Sequence, residues 1–151
     1  MTVKYIDNFL STEDMQQFIL YIKEKQVSQQ VIQDSTFVNY FWEHYGERIR
    51  EIEPNCIGIT PSVTLTQTST PISRHVDINH HGERYKVLIY LNDIPNGGTL
   101  FYPSSGTQLV ENKANRLVLF DMSILHESQK FNTRACRTRK IAIGFRLFGK
   151  D

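Results

Sequence analysis

The sequence predicts a mainly β protein in which N-terminal helices pack against one outer face of an antiparallel barrel or double-sheet jelly roll. Three observations point there. Apolar residues recur at helical spacing in the first third of the chain, and alternating, β-branched runs take over from about residue 55. Short turn signals such as IPNGG and NKAN then separate those runs.

Taking the elements in order, KYIDNFLSTEDM opens with an extended piece and then a helix start. Ser11 or Thr12 can cap the first backbone N–H groups, and Glu13 and Asp14 sit where the helix dipole favours negative charge. Met15, Phe18, Ile19 and Ile22 predict an amphipathic helix from residue 12 to about 25. VSQQVIQD reads as a short strand or loop, and an aromatic-rich helix follows near residues 37–50. Its Tyr40, Phe41, Trp42 and Tyr45 are expected to pack against the barrel. From CIGIT onward the pattern is strands, with breaks expected at Pro61 and Pro71.

RYKVLIYLND is a strongly apolar strand, and TLFYPSSG is a strand and turn. TQLVENKANRLVLFD supplies two more strands, with ILHESQ and its His126 at the end of the second, QKFNTRACRTR reads as a polar loop, and KIAIGFRLFG alternates as a last strand. About eight strands are expected after residue 55. Gly97 and Gly98 are expected to serve turn geometry. The 151 residues suffice for one hydrophobic core. We therefore expect one domain over residues 1–151, helical over about 1–50 and jelly roll over about 55–149.

Composition narrows the function classes. Apolar residues make up 40% and charged residues 22%, the profile of a globular protein, and the net charge of +1 gives no electrostatic reason for a nucleic-acid or anionic-membrane partner. The basic stretch 134–140 (Arg134, Arg137, Arg139 and Lys140) has no interleaved aromatics for base stacking and reads as a solvated loop. No run approaches the roughly 20 apolar residues a membrane span needs. Cys56 and Cys136 form no disulfide framework, and with no signal-like apolar run the expected location is cytoplasmic. Neither thiol shows a redox role at this level.

The chemistry is concentrated in RHVDI. His75 and Asp77 are two positions apart, which on a strand puts both on one face about 7 Å apart. His126 is the one histidine later than the His80–His81 pair, and it can complete two imidazoles and a carboxylate. That mixed set forms a facial triad with open positions, which suits Fe(II). Lys140 opens the last strand on the face it shares with the small residues Ala142 and Gly144, while Arg139 points the other way. An ammonium facing a barrel interior calls for an anionic partner.

With these residues in view, the chain resembles the Fe(II)- and 2-oxoglutarate-dependent dioxygenases of the prolyl-4-hydroxylase-like branch. HVD, VLIYLND, NGGTLFYP, NRLVLFD, the distal His126 and a basic residue opening KIAIGF follow one another in the family's order over about residues 60–148. The resemblance implies a double-stranded β-helix flanked by helices. It implies His75, Asp77 and His126 as metal ligands and catalytic residues, with Fe(II) and 2-oxoglutarate as cofactor and cosubstrate and ascorbate as an accessory candidate. Lys140 takes the place of the basic residue that meets the distal carboxylate of 2-oxoglutarate, and Tyr90 that of a tyrosine bonding the same group. Lys140 lies fourteen positions after His126, farther than is usual in the family, so Arg137 is a rival anchor.

The implied reaction couples oxidative decarboxylation of 2-oxoglutarate to C–H hydroxylation, with a prolyl residue of a peptide or protein as the leading substrate. The alternatives are a free amino acid, nucleic-acid demethylation, or a non-catalytic cupin-like metal- or ligand-binding module. His80 and His81 read as loop residues beside the barrel mouth.

Overall fold

The computed structural model describes residues 3–26, 28–78, 82–130 and 139–150. Arg134, Cys136, Arg137, His80 and His81 lie outside the described residues. The chain runs β1 (Lys4–Ile6), α1 (Thr12–Lys25), β2 (Gln29–Gln33), α2 (Ser35–Ile52) and β3 (Cys56–Thr68). It continues through β4 (Glu83–Tyr90), β5 (Thr99–Tyr102), β6 (Gln108–Val110), β7 (Arg116–Asp121), β8 (Leu125–Ser128) and β9 (Lys140–Gly149). The strands form a six-stranded sheet, β1-β7-β4-β9-β3-β2, facing a three-stranded sheet, β6-β5-β8. All pairings between these strands are antiparallel. This is the expected double-stranded β-helix with two flanking helices.

Each helix starts where its cap dictates. The Ser11 hydroxyl accepts the Asp14 N–H at 3.1 Å, and the Asp34 carboxylate accepts the Phe37 N–H at 3.1 Å. α1 ends at Gln26, whose left-handed backbone (φ 52°) turns its N–H onto the Lys23 carbonyl. The buried faces of both helices then cover one side of the larger sheet. Phe41 of α2 stacks on Phe145 of β9 with ring centroids 3.9 Å apart, and Phe18 of α1 packs beside Phe37 and Phe41.

β9 alternates across this boundary. Ile141, Ile143, Phe145 and Leu147 enter the helix-side core. Ala142 faces the second core between the sheets, where Tyr90, Phe101, Val118 and Phe120 pack.

Two local expectations are corrected. Pro61 does not break a strand: β3 runs through it, and the register shift between Ile59 and Val63 absorbs the missing N–H as a bulge. HVDI is not a regular strand, since residues 76–78 carry no ladder and His75 makes one isolated bridge. LHES, which follows the RLVLFD strand, forms strand β8 through its pairing with β5.

Candidate metal centre

The isolated bridge delivers the first two groups. His75 and His126 exchange backbone N–H···O bonds of 2.9 Å in both directions, which brings their rings to 4.4 Å between centroids. The Nδ1 of His75 lies 2.7 Å from the Ser73 carbonyl, and the Nδ1 of His126 lies 2.9 Å from the Ile124 carbonyl. A carbonyl can only accept, so in each neutral ring Nδ1 carries the proton and Nε2 keeps its lone pair. This is the tautomer that a metal bound through Nε2 requires. Burial pushes the His126 imidazole below its ordinary value, which keeps it neutral and available as a ligand.

Asp77 supplies the third group. Its side chain is buried, and its Oδ2 stands 3.4 Å from the Nε2 of His126 with no hydrogen-bond partner among the described residues. Oδ1 accepts from Lys86 Nζ at 3.1 Å and lies 3.8 Å from the Nε2 of His75. Burial alone would raise the Asp77 carboxyl, but Lys86 and the two imidazoles outweigh it and the net shift is downward. One candidate ligand atom from each of the three residues lies within 4.8 Å of the others. An orphaned buried carboxylate oxygen beside two imidazole lone pairs fits a divalent cation, since an unpaired buried charge is otherwise costly. A two-histidine, one-carboxylate set fits Fe(II).

A cavity opens from the triad between the sheets, with Thr64, Lys86, Leu88, Thr99 and Lys140 on its walls. Lys140 is only 3% exposed. Its Nζ donates to the Gly97 carbonyl at 2.8 Å and sits 5.2 Å from the centre of the Tyr90 ring. Burial pushes this ammonium down to about 8. Arg139, one residue earlier, is exposed. Tyr90 is fully buried, its hydroxyl is 2.6 Å from Thr99 Oγ1, and burial pushes its phenol up to about 12. Phe101 and Phe120 flank the His126 ring at 5.6 and 4.9 Å and close the inner side of the site.

Two features differ from expectation. Ala142 lines the cavity, but the space at Gly144 is already filled: a Cβ there would meet Lys86 Cε and Thr64 Cβ at 3.3 Å. The sequence reading also passed over Lys86. Its signal is the inward alternation Lys86–Leu88–Tyr90, in which a lysine shares a face with half-buried Leu88 and buried Tyr90. Gly98 holds the opposite wall close, since a Cβ there would fall 2.3 Å from the Val110 carbonyl oxygen. Cys56 is buried, and its thiol is pushed up to about 12 by that burial, so it is chemically quiet. Among the described residues no helix is long and apolar enough to cross a membrane.

A jelly roll with two imidazoles and a carboxylate converging at the mouth of an inter-sheet cavity defines a metal-dependent enzyme. The family is specific: the 2OG-Fe(II) oxygenase superfamily matches residues 62–146, and the chain belongs to it. It is an Fe(II)- and 2-oxoglutarate-dependent oxidative enzyme. No curated protein sequence matches the chain.

Solved structures do resemble it. A prolyl-4-hydroxylase of Pseudomonas putida has a TM-score of 0.72 at 12% identity, over 99% of this chain and 93% of that one. The viral collagen prolyl hydroxylase of Paramecium Bursaria Chlorella virus-1 has a TM-score of 0.72 at 12% identity, over 100% and 97%. The epimerase SnoN from nogalamycin biosynthesis has a TM-score of 0.71 at 10% identity, over 97% and 76%. Identities this low establish a shared fold. They span hydroxylases and an epimerase, so fold alone does not choose the reaction.

Proposed function

We propose that this chain, acting as one catalytic unit over residues 1–151, hydroxylates a prolyl residue in a peptide or protein. The observation that carries the oxygenase reading is the convergence of His75, Asp77 and His126, of which the two histidines line a cavity that also holds the buried ammonium of Lys140. The prolyl substrate draws its support from fold neighbours, several of which are prolyl hydroxylases.

Iron with 2-oxoglutarate supplies the oxidising power of dioxygen, with succinate and carbon dioxide as coproducts. The roles of the chain's own residues follow from their placement. His75 and His126 present Nε2 lone pairs, held in that tautomer by the Ser73 and Ile124 carbonyls. Asp77 presents Oδ2, which has no hydrogen-bond partner among the described residues. Lys140 meets the distal carboxylate of 2-oxoglutarate, which is the anion a buried ammonium favours. Tyr90 sits against Lys140 behind the cavity wall, and its hydroxyl meets that of Thr99, which lines the cavity. Phe101 and Phe120 keep water from the inner side of the metal.

A shallow groove lined by Ser28, Gln29, Thr68, Thr70 and Arg139 runs to His75, the exposed edge of the triad. It offers hydroxyl and amide partners to an extended chain laid across the metal. The test is succinate release with proline-containing peptides against free proline and other amino acids, with mass spectrometry of the product. A 16 Da gain on a prolyl residue that requires 2-oxoglutarate supports the reading. Turnover only with a non-peptide substrate would overturn the prolyl assignment and keep the oxygenase.

A further inference from the structure

The cavity contains one more charge than the roles above use. Among the described residues lining it, the lysines are Lys140 and Lys86, and Lys86 stands at the metal end. Its Nζ is 3.1 Å from Asp77 Oδ1, and the two side chains are only 10% and 6% exposed. The fold makes room for this contact. Lys86 leaves β4 on the inward face, and the missing Cβ of Gly144 on neighbouring β9 lets its Cε pass, since a Cβ there would sit at 3.3 Å.

The two oxygens of Asp77 are thereby made unequal: Oδ1 is hydrogen-bonded to a cation, and Oδ2 has no hydrogen-bond partner among the described residues and faces His126. A lysine held on a ligand carboxylate has two electrostatic consequences of opposite sign. It opposes a divalent cation arriving at the same carboxylate, because like charges repel strongly at short range in a buried site. It favours a dianion arriving beside that cation. A neutral residue of the same shape would do neither.

Resting on the reading of His75, Asp77 and His126 as iron ligands, we propose that Lys86 is a positioning residue that couples metal binding to cosubstrate binding. Its ammonium pairs with Asp77 Oδ1 and leaves Oδ2 as the single ligating oxygen. It makes the site a weak holder of metal alone and a strong holder of metal together with 2-oxoglutarate. Lys86 is distinct in this from Lys140, which bonds the Gly97 carbonyl.

The test uses Mn(II) as the metal probe, with its free-ion electron paramagnetic resonance signal reporting affinity with and without 2-oxoglutarate. The proteins are wild type, Lys86→Met, Lys86→Gln and Lys86→Arg, each checked for folding by circular dichroism. In the neutral variants Mn(II) alone should bind about tenfold tighter or more. The factor by which 2-oxoglutarate tightens Mn(II) should shrink by a similar amount. Lys86→Arg, which keeps the charge, should preserve the wild-type coupling.

A purely structural role would weaken Mn(II) binding in Lys86→Met and Lys86→Gln with or without 2-oxoglutarate, and that result overturns the proposal. Unchanged coupling in a folded neutral variant overturns it as well. Failure of the wild-type protein to bind Mn(II) at all would overturn the metal-site reading beneath it, which separates the two failures.

Discussion

Replacing Lys140 by methionine separates the cost of a buried charge from its use. The side chain is 3% exposed, and burial lowers its ammonium from the ordinary 10.5 to about 8. At 1.36 kcal/mol per unit, that fall is about 3 kcal/mol of native-state cost. The sign follows from counting protons. Below pH 8 the amine is protonated in folded and unfolded chains, and the full penalty is present. Between about pH 8 and 10.5 the unfolded chain holds a proton that the folded one has released, so wild-type stability gains with rising pH across this window.

Lys140→Met lacks that dependence, but it orphans the Gly97 carbonyl, now bonded at 2.8 Å, at a pH-independent cost of about 1–2 kcal/mol. The metal-free variant is therefore expected to be about 1–2 kcal/mol more stable than wild type near pH 7 and less stable by a similar amount near pH 11. Urea unfolding followed by far-ultraviolet circular dichroism, in chelator and across that pH range, measures the difference. A difference that stays flat from pH 7 to 11 would refute the argument. It would mean that Lys140 is solvated and carries no burial penalty.

Other positions make sharper structural demands. Gly98→Ala places a Cβ 2.3 Å from the Val110 carbonyl oxygen. Backbone must move to accept it, so a loss of about 1–3 kcal/mol is expected in urea unfolding, together with weaker 2-oxoglutarate binding as the wall beside Thr99 shifts. Phe41→Ala removes the ring stacked at 3.9 Å on Phe145 between helix and sheet. It should cost about 3–5 kcal/mol in the same assay.

The fold class was legible because its evidence is local. Helical spacing in Met15–Ile22, the apolar runs of β4 and β7 and the alternation of β9 each mark a buried element without reference to distant residues. What escaped depends on distant partners. LHES has little β-branched character to mark a strand by itself, and its pairing with β5 makes it strand β8. Pro61 reads as a stop, yet a bulge carries β3 past it.

The site divides the same way. The grouping of His75, Asp77 and His126 was readable from residue type and order, although the local geometry differs from a strand, and a single cross-strand bridge makes the group. Lys86 was hidden because a lysine among apolar residues normally marks a solvent-facing position. Its inward direction follows the pleat of β4, and the missing Cβ of Gly144 on the neighbouring strand leaves room for its Cε.

Anaerobic titration with Fe(II) and 2-oxoglutarate, followed by visible absorption, tests the central claim most directly. The account predicts a weak metal-to-ligand charge-transfer band that forms only when both are present. The band should be lost in His126→Ala, whose imidazole is buried within the triad. It should require much more 2-oxoglutarate in Lys140→Met, with metal binding retained. Folded wild-type protein that binds Fe(II) but gives no band with 2-oxoglutarate would contradict the oxygenase site.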